Sequence, residues 1–142
     1  MADIVYNAFK GRIAGATTPI NFGSDTIKAA LVTSSYTPSQ DNDDFWDDVS
    51  ANEVAASGTY SAGGVTLSIT ASQDNTDNEG VVDATDLSIT SFTGTFRYIV
   101  LYKSTGVSST SPLVAVYDIT SASVTGGTLT ITWNSEGLIN IT

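Results

Sequence analysis

Gly63-Gly64-Val65-Thr66-Leu67-Ser68-Ile69-Thr70 carries a strict two-residue period, with Val65, Leu67 and Ile69 in one register and Thr66, Ser68 and Thr70 in the other. Successive side chains of a strand point to opposite faces, so this pattern buries an aliphatic row and leaves a hydroxyl row in water. The same alternation returns twice. Leu87 and Ile89 alternate with Asp86, Ser88 and Thr90, and after Gly126-Gly127 come Leu129, Ile131 and Trp133 between Thr128, Thr130 and Thr132. Two further segments are apolar in both registers, Thr95-Phe96-Arg97-Tyr98-Ile99-Val100-Leu101-Tyr102-Lys103 and Leu113-Val114-Ala115-Val116-Tyr117. Strands of that kind sit in the middle of a sheet or against a partner subunit. With the short run Ile27 to Val32 and the closing run Leu138 to Ile141, about seven strands are expected, and no long amphipathic helix separates them. The fold class expected is therefore all-β: a single antiparallel β-sandwich or barrel-like domain with an extended N-terminal arm and at most one short helix.

Composition agrees with this reading. The 142 residues include 21 Thr and 18 Ser, while only 14% are charged, so hydroxyls supply much of the surface polarity. β-branched and aromatic residues fit a pleated, half-buried surface. A chain of this length suits one core.

Residues 1–24 read as a separate N-terminal arm, with a net charge of +1 against −11 on the β domain at 25–142. Gly11, Gly15, Pro19 and Gly23 interrupt any regular period, yet Ile4, Tyr6, Phe9, Ile13, Ile20 and Phe22 are too apolar for a solvated tail. An N-terminal strand plus loop in the common core accounts for the same letters. Between Asp41 and Val49, five acids surround Phe45 and Trp46, which suggests one helical turn or an irregular loop. Trp46 reads either as a plug at the end of the sandwich or as a stacking platform for a ligand.

The chain contains no cysteine and no histidine, which removes thiolate chemistry together with the commonest general base and metal ligand. A formal charge of −10 repels phosphate backbones, so no nucleic-acid partner is expected. The start of the chain lacks a basic region followed by an apolar one, and no apolar run is long enough for a membrane helix, so neither export nor membrane insertion is expected. Carboxylate pairs such as Asp47 with Glu53, or Asp83 with Asp86, are the only material for a glycosidase, and with 15 acids they arise by chance. The chain is expected to bind or assemble rather than to catalyse, and no cofactor is expected.

One metal pattern stands out. Asn75, Asp77, Glu79, Gly80 and Asp86 occupy positions 1, 3, 5, 6 and 12 of a twelve-residue calcium loop. The flanks read as strands rather than EF-hand helices, and a solvated acidic hairpin loop explains the same residues.

The succession of motifs resembles small structural proteins of tailed-bacteriophage particles. It runs through Thr26 to Thr33, the Tyr36-Thr37-Pro38 turn, Gly58-Thr59-Tyr60-Ser61-Ala62-Gly63-Gly64, Arg97 to Tyr102, Ser111-Pro112-Leu113-Val114-Ala115 and Ile131-Thr132-Trp133, covering about Tyr6 to Leu138. Within that group the nearest role is an auxiliary capsid protein, a decoration or cement subunit bound to the outer surface of the head, commonly as a trimer. The resemblance implies a subunit made in the host cytoplasm and located on the virion capsid surface, with the major capsid protein and further copies of itself as partners. On that reading Tyr6, Phe9, Lys10, Arg12 and Ile13 of the arm would bridge capsid subunits, and Phe96, Tyr98 and Tyr102 would contribute to the capsid or oligomer interface. The alternatives are a tail-tube or fibre component, and a carbohydrate-binding module presenting Tyr60, Tyr98 and Tyr102 on a sheet face.

Overall fold

The computed structural model describes residues 2–142 and shows a mostly β chain with two antiparallel sheets and no closed barrel. Strand β1 (Ile4–Val5) leads into the helix α1 (Asn7–Ile13) and then β2 (Ile27–Val32). β3 (Val65–Thr66), β4 (Ile69–Asp74) and β5 (Glu79–Ala84) follow, then two long strands, β6 (Leu87–Lys103) and β7 (Leu113–Ile131), and finally β8 (Ile139–Ile141). The larger sheet has the order β1-β7-β6-β2-β3 and the smaller β4-β5-β8.

The doubly apolar segment Phe96–Lys103 lies in β6, in the middle of the larger sheet, hydrogen-bonded to β2 on one side and β7 on the other. Residues opposite one another in a ladder share a face. Ala29, Leu101 and Ala115 therefore point one way, and Ala30, Val100 and Val116 the other. Each face has its own cover. On the first, Tyr117 Oη donates to the Leu138 carbonyl at 2.8 Å, which ties the sheet to the chain entering β8. On the second, Tyr36 packs edge-on against Tyr98 and Trp46 stacks on Tyr102, so the excursion from Thr33 to Gly64 forms the lid.

That excursion is held by buried phenols. Tyr6 and Tyr36 share a hydroxyl contact of 2.7 Å, and Tyr36 Oη donates to Asp43 at 2.6 Å. Tyr60 Oη accepts the Leu31 amide at 2.9 Å and donates to Glu53 at 2.7 Å. Burial disfavours the phenolate, so Tyr6, Tyr36, Tyr60 and Tyr117 are all pushed well above the ordinary tyrosine range. The acid-rich stretch forms two short 3-10 turns, Trp46–Asp48 and Ser50–Asn52, and no α-helix. The Asp48 carboxylate accepts the amides of Asp44 and Phe45.

Three expectations change. The alternating run Val65 to Thr70 is split between the sheets: β3 pairs with β2, the Leu67 amide donates to the Ile27 carbonyl, and β4 begins at Ile69 in the other layer. Gly64 lets the chain enter β3 close against β2, because at φ +81° it runs so near Ala29 that a β-carbon would collide with the backbone. Second, Gln73 to Gly80 is not all loop, since β4 and β5 pair from Ile69↔Ala84 to Asp74↔Glu79 and leave only a tight turn.

Third, residues 2–24 do not form an extended arm. β1 pairs with β7, and α1 packs against β7 with Tyr6 and Phe9 almost fully buried. Phe9 and Arg12 are three residues apart, which puts both on the inner side of a short helix beside Tyr6. The following segment is pinned at its end, where Lys103 Nζ reaches the Asp25 carboxylate at 2.9 Å and the Pro19 carbonyl at 3.0 Å. The reason is hydrophobic: an arm carrying this much aromatic surface gains more by covering its own sheet than by staying solvated.

Candidate interaction surface

Where α1 meets β8, two isoleucines remain in water. Ile13, the last residue of α1, is 38% exposed and Ile141 of β8 is 42% exposed; only Ile119 and Val107 are comparably exposed large aliphatics among the described residues. Both isoleucines line two adjoining grooves. One, of about 420 Å³, runs between Ile20, Phe22, Ala71 and Val81; the other, of about 270 Å³, is bounded by Val5, Phe9, Lys10 and Ile139. β8 is an edge strand of the smaller sheet, so its outer rim also lacks a strand partner. The result is an apolar, grooved patch bordered by the ammonium of Lys10. Exposed apolar grooves beside an unpaired strand edge are candidate contact sites for another protein.

The residues expected to form an interface divide sharply. Lys10 and Ile13 are on this patch; Phe9, 1% exposed, only lines a groove wall, and Tyr6 and Arg12 are buried and line neither groove. Arg12 donates from Nη1 to the Thr17 carbonyl at 2.7 Å, and its guanidinium lies 4.8 Å from the centre of the Phe45 ring. Phe96, Tyr98 and Tyr102 belong to the chain's own core, with 2%, 6% and 3% exposure, so they offer no face on which a protein partner could pack. The apolar character that suggested an interface is consumed by the two covers of the larger sheet. Ile141 was hidden to sequence reasoning because a terminal strand of three residues gives no indication of which side its neighbour covers.

The same burial removes the tyrosine platform. Tyr60 is 1% exposed, and Tyr102 is covered by Trp46 at a ring separation of 4.5 Å and an interplanar angle of 3°. Trp46 is a plug.

The calcium-loop spacing does not survive folding. Glu79 to Ala84 is an extended strand, so the residues cannot encircle one point. Asp86 accepts the Trp133 amide at 3.0 Å instead, and Asn75 accepts from Gln73. Asp77 and Glu79 converge with Glu136, which arrives from the chain before β8, their carboxylate oxygens lying within 4.8 Å of one another. Three carboxylates are suitable donors for a hard cation. The other carboxylates singled out have local duties: Glu53 also accepts the Gly63 amide at 2.8 Å, and Asp83 accepts the Ala84 amide.

No family model matches the chain, and neither a curated protein nor a solved structure matches it significantly.

Proposed function

We propose that the chain is a structural protein of a tailed-bacteriophage virion, a decoration or cement subunit that docks on the outer surface of the head and stabilises the shell. The observation that supports it is the grooved apolar patch of Ile13 and Ile141 beside Lys10, on a body otherwise dominated by negative charge. In this reading the patch takes up an apolar segment of the major capsid protein, Lys10 meets a capsid carboxylate, and the acidic body faces solvent. Three copies associate around a shared capsid position. The N-terminal residues act from a folded helix instead of a strap.

Imaging of particles with and without the protein tests this, with added density expected on the outer head surface at three-fold positions. Ile13→Asp combined with Ile141→Asp should abolish binding to bare heads while leaving the β circular dichroism intact. Full binding by the double variant would reject the docking face.

A tail-tube or fibre subunit is the second reading, favoured by the outer edge of β7. From Ile119 to Thr130 this edge has no strand partner among the described residues and carries neither charge nor proline. Such edges template strand addition. Rings or stacks formed by the isolated protein in electron micrographs would favour it.

A further inference from the structure

We infer that a polar cup at the β6–β7 loop is a binding site for a small hydroxylated carboxylate, of the sugar-acid class. The cup, of about 370 Å³, lies among Lys28, Trp46, Tyr102, Ser104, Val107 and Ser108 and shares no residue with the α1–β8 patch. That size falls within the range of about 300–1,000 Å³ usual for small-molecule sites. Its position follows from register: Lys28 of β2 stands opposite Tyr102 of β6, so ammonium and phenol share a face.

Charge identifies the ligand. The chain has 15 acids and five basic residues, yet no carboxylate lines the cup. Lys103 and Arg97 are paired with Asp25 and Asp118, Arg12 is held by a carbonyl and a ring, and Lys10 contacts Asn7. Lys28 alone has neither an ion-pair nor a hydrogen-bond partner among the described residues, and it stands in the wall of this cup. An ammonium with no ion-pair partner in an open recess, where the neighbouring Glu53 carboxylate is already engaged by the Tyr60 hydroxyl and the Gly63 amide, is a site for one monovalent anion. A phosphate would call for more cationic donors than one lysine provides, whereas a carboxylate matches it. The hydroxyls of Ser104 and Ser108 suit a ligand with hydroxyls of its own.

The cup is also kept open and rigid. At Gly63, with φ +86°, a β-carbon would lie 3.3 Å from Tyr102 Oη and 3.7 Å from Lys28 Nζ, so any side chain there would intrude. The Gly63 carbonyl accepts from Tyr102 Oη at 2.6 Å and its amide donates to Glu53, which fixes the floor before a ligand arrives. Preorganisation of this sort lowers the cost of binding. The inference does not depend on where the protein sits on a particle.

The test is calorimetry and saturation-transfer NMR on the full chain with glucuronate, glucose and inorganic phosphate as probes. Glucuronate should bind with a dissociation constant on the order of 1 mM, and glucose and phosphate at least about tenfold more weakly. Lys28→Met should remove glucuronate binding, and Ser108→Tyr, which fills the cup from an exposed turn, should remove it too, both with unchanged circular dichroism. Absence of glucuronate binding up to about 50 mM, equal binding of glucose or phosphate, or undiminished binding by both variants would overturn the assignment.

Discussion

β6 and β7 are paired along most of their length, yet the two ends of that pair are differently built. Between Tyr98 and Lys103, β6 is flanked by β2 and β7, and β7 in turn by β1; both faces are covered and nearly every residue is buried. From Leu87 to Phe96 and from Ile119 to Ile131 burial alternates, and the ladder slips near Phe92 and Phe96. The 57–60 segment hydrogen-bonds to the free side of β6 there, through the Thr59 amide and the Thr59 and Ser57 hydroxyls. The outer side of β7 is open. Sequence pattern follows cover: a strand enclosed on two faces needs apolar residues in both registers, and a strand enclosed on one needs them in only one.

The largest effect expected from this contrast is on stability. Leu101 is fully buried in the clamped end, where rigid neighbours cannot collapse into a cavity, so Leu101→Ala should cost toward the upper end of about 2–5 kcal/mol. Leu129, 9% exposed in the open end, can be relieved by local movement and water, and Leu129→Ala should cost about 2 kcal/mol or less. Urea unfolding of both variants decides it; equal losses would mean that the two ends form one uniform core.

Alkali should attack the clamped end next. Burial pushes Tyr102 up to about 12, and Tyr6, Tyr36, Tyr60 and Tyr117 still higher, with the Asp43 contact adding to the effect on Tyr36 and the Glu53 contact to that on Tyr60. A raised folded-state value means that the folded chain keeps its protons where the unfolded chain loses them. Stability is therefore intact below the ordinary tyrosine value of about 10 and falls as pH rises above it. Phenolate absorbance from these residues should appear together with loss of β circular dichroism. Ionisation of all of them near pH 10 with the fold retained would show the phenols to be accessible.

A smaller effect is expected in the open end, and of opposite sign. Thr120 holds φ at +69° beside the junction, a left-handed conformation that a β-branched residue adopts only under strain. Glycine relieves that strain but adds freedom to the unfolded chain, so Thr120→Gly should stabilise by no more than about 1 kcal/mol. A melting temperature lower than that of the parent would show that the Thr120 side chain contributes contacts outweighing the strain.

How much of this was legible in the sequence depended on whether the governing interaction was local. The wet-faced strands at Leu87 to Thr90 and Thr128 to Ile131 were readable from alternation, although the alternation runs on to Trp133 past the end of β7, and the central place of Phe96 to Tyr102 from its apolar residues in both registers. That these segments join into two strands of 17 and 19 residues was not, because Ser91 to Gly94 and Thr120 to Gly127 carry turn-like residues that the structure uses as ladder irregularities. The N-terminal helix was invisible for a related reason. Seven residues with an internal glycine have little intrinsic helicity, and it is the docking of Tyr6 and Phe9 that stabilises them. Of the residues lining the apolar α1–β8 grooves, Lys10 and Ile13 are singled out by the sequence and Ile141 is not, since the grooves exist only once β8 is laid beside α1. The Lys28 cup left no sequence signal at all, because which charges end up paired is a property of three-dimensional neighbours.

The smallest effect should come from the junction itself, where Arg97 and Asp118 form a two-pronged ion pair with a shortest distance of 2.8 Å, Nη2 to Oδ2. Both side chains are open to water, at 40% and 33% exposure, so solvent and salt screen their attraction. The guanidinium and the Thr120 amide hold the Asp118 carboxyl below its usual range. Because that value is depressed, whatever the pair contributes is present above the ordinary carboxylate range and fades as pH falls through it. A double-mutant cycle with Arg97→Gln and Asp118→Asn should show weak coupling that disappears in molar salt. Strong, salt-resistant coupling would mean that water does not reach the pair and that the clamped region extends past Tyr98, moving the boundary between the two ends toward Phe96.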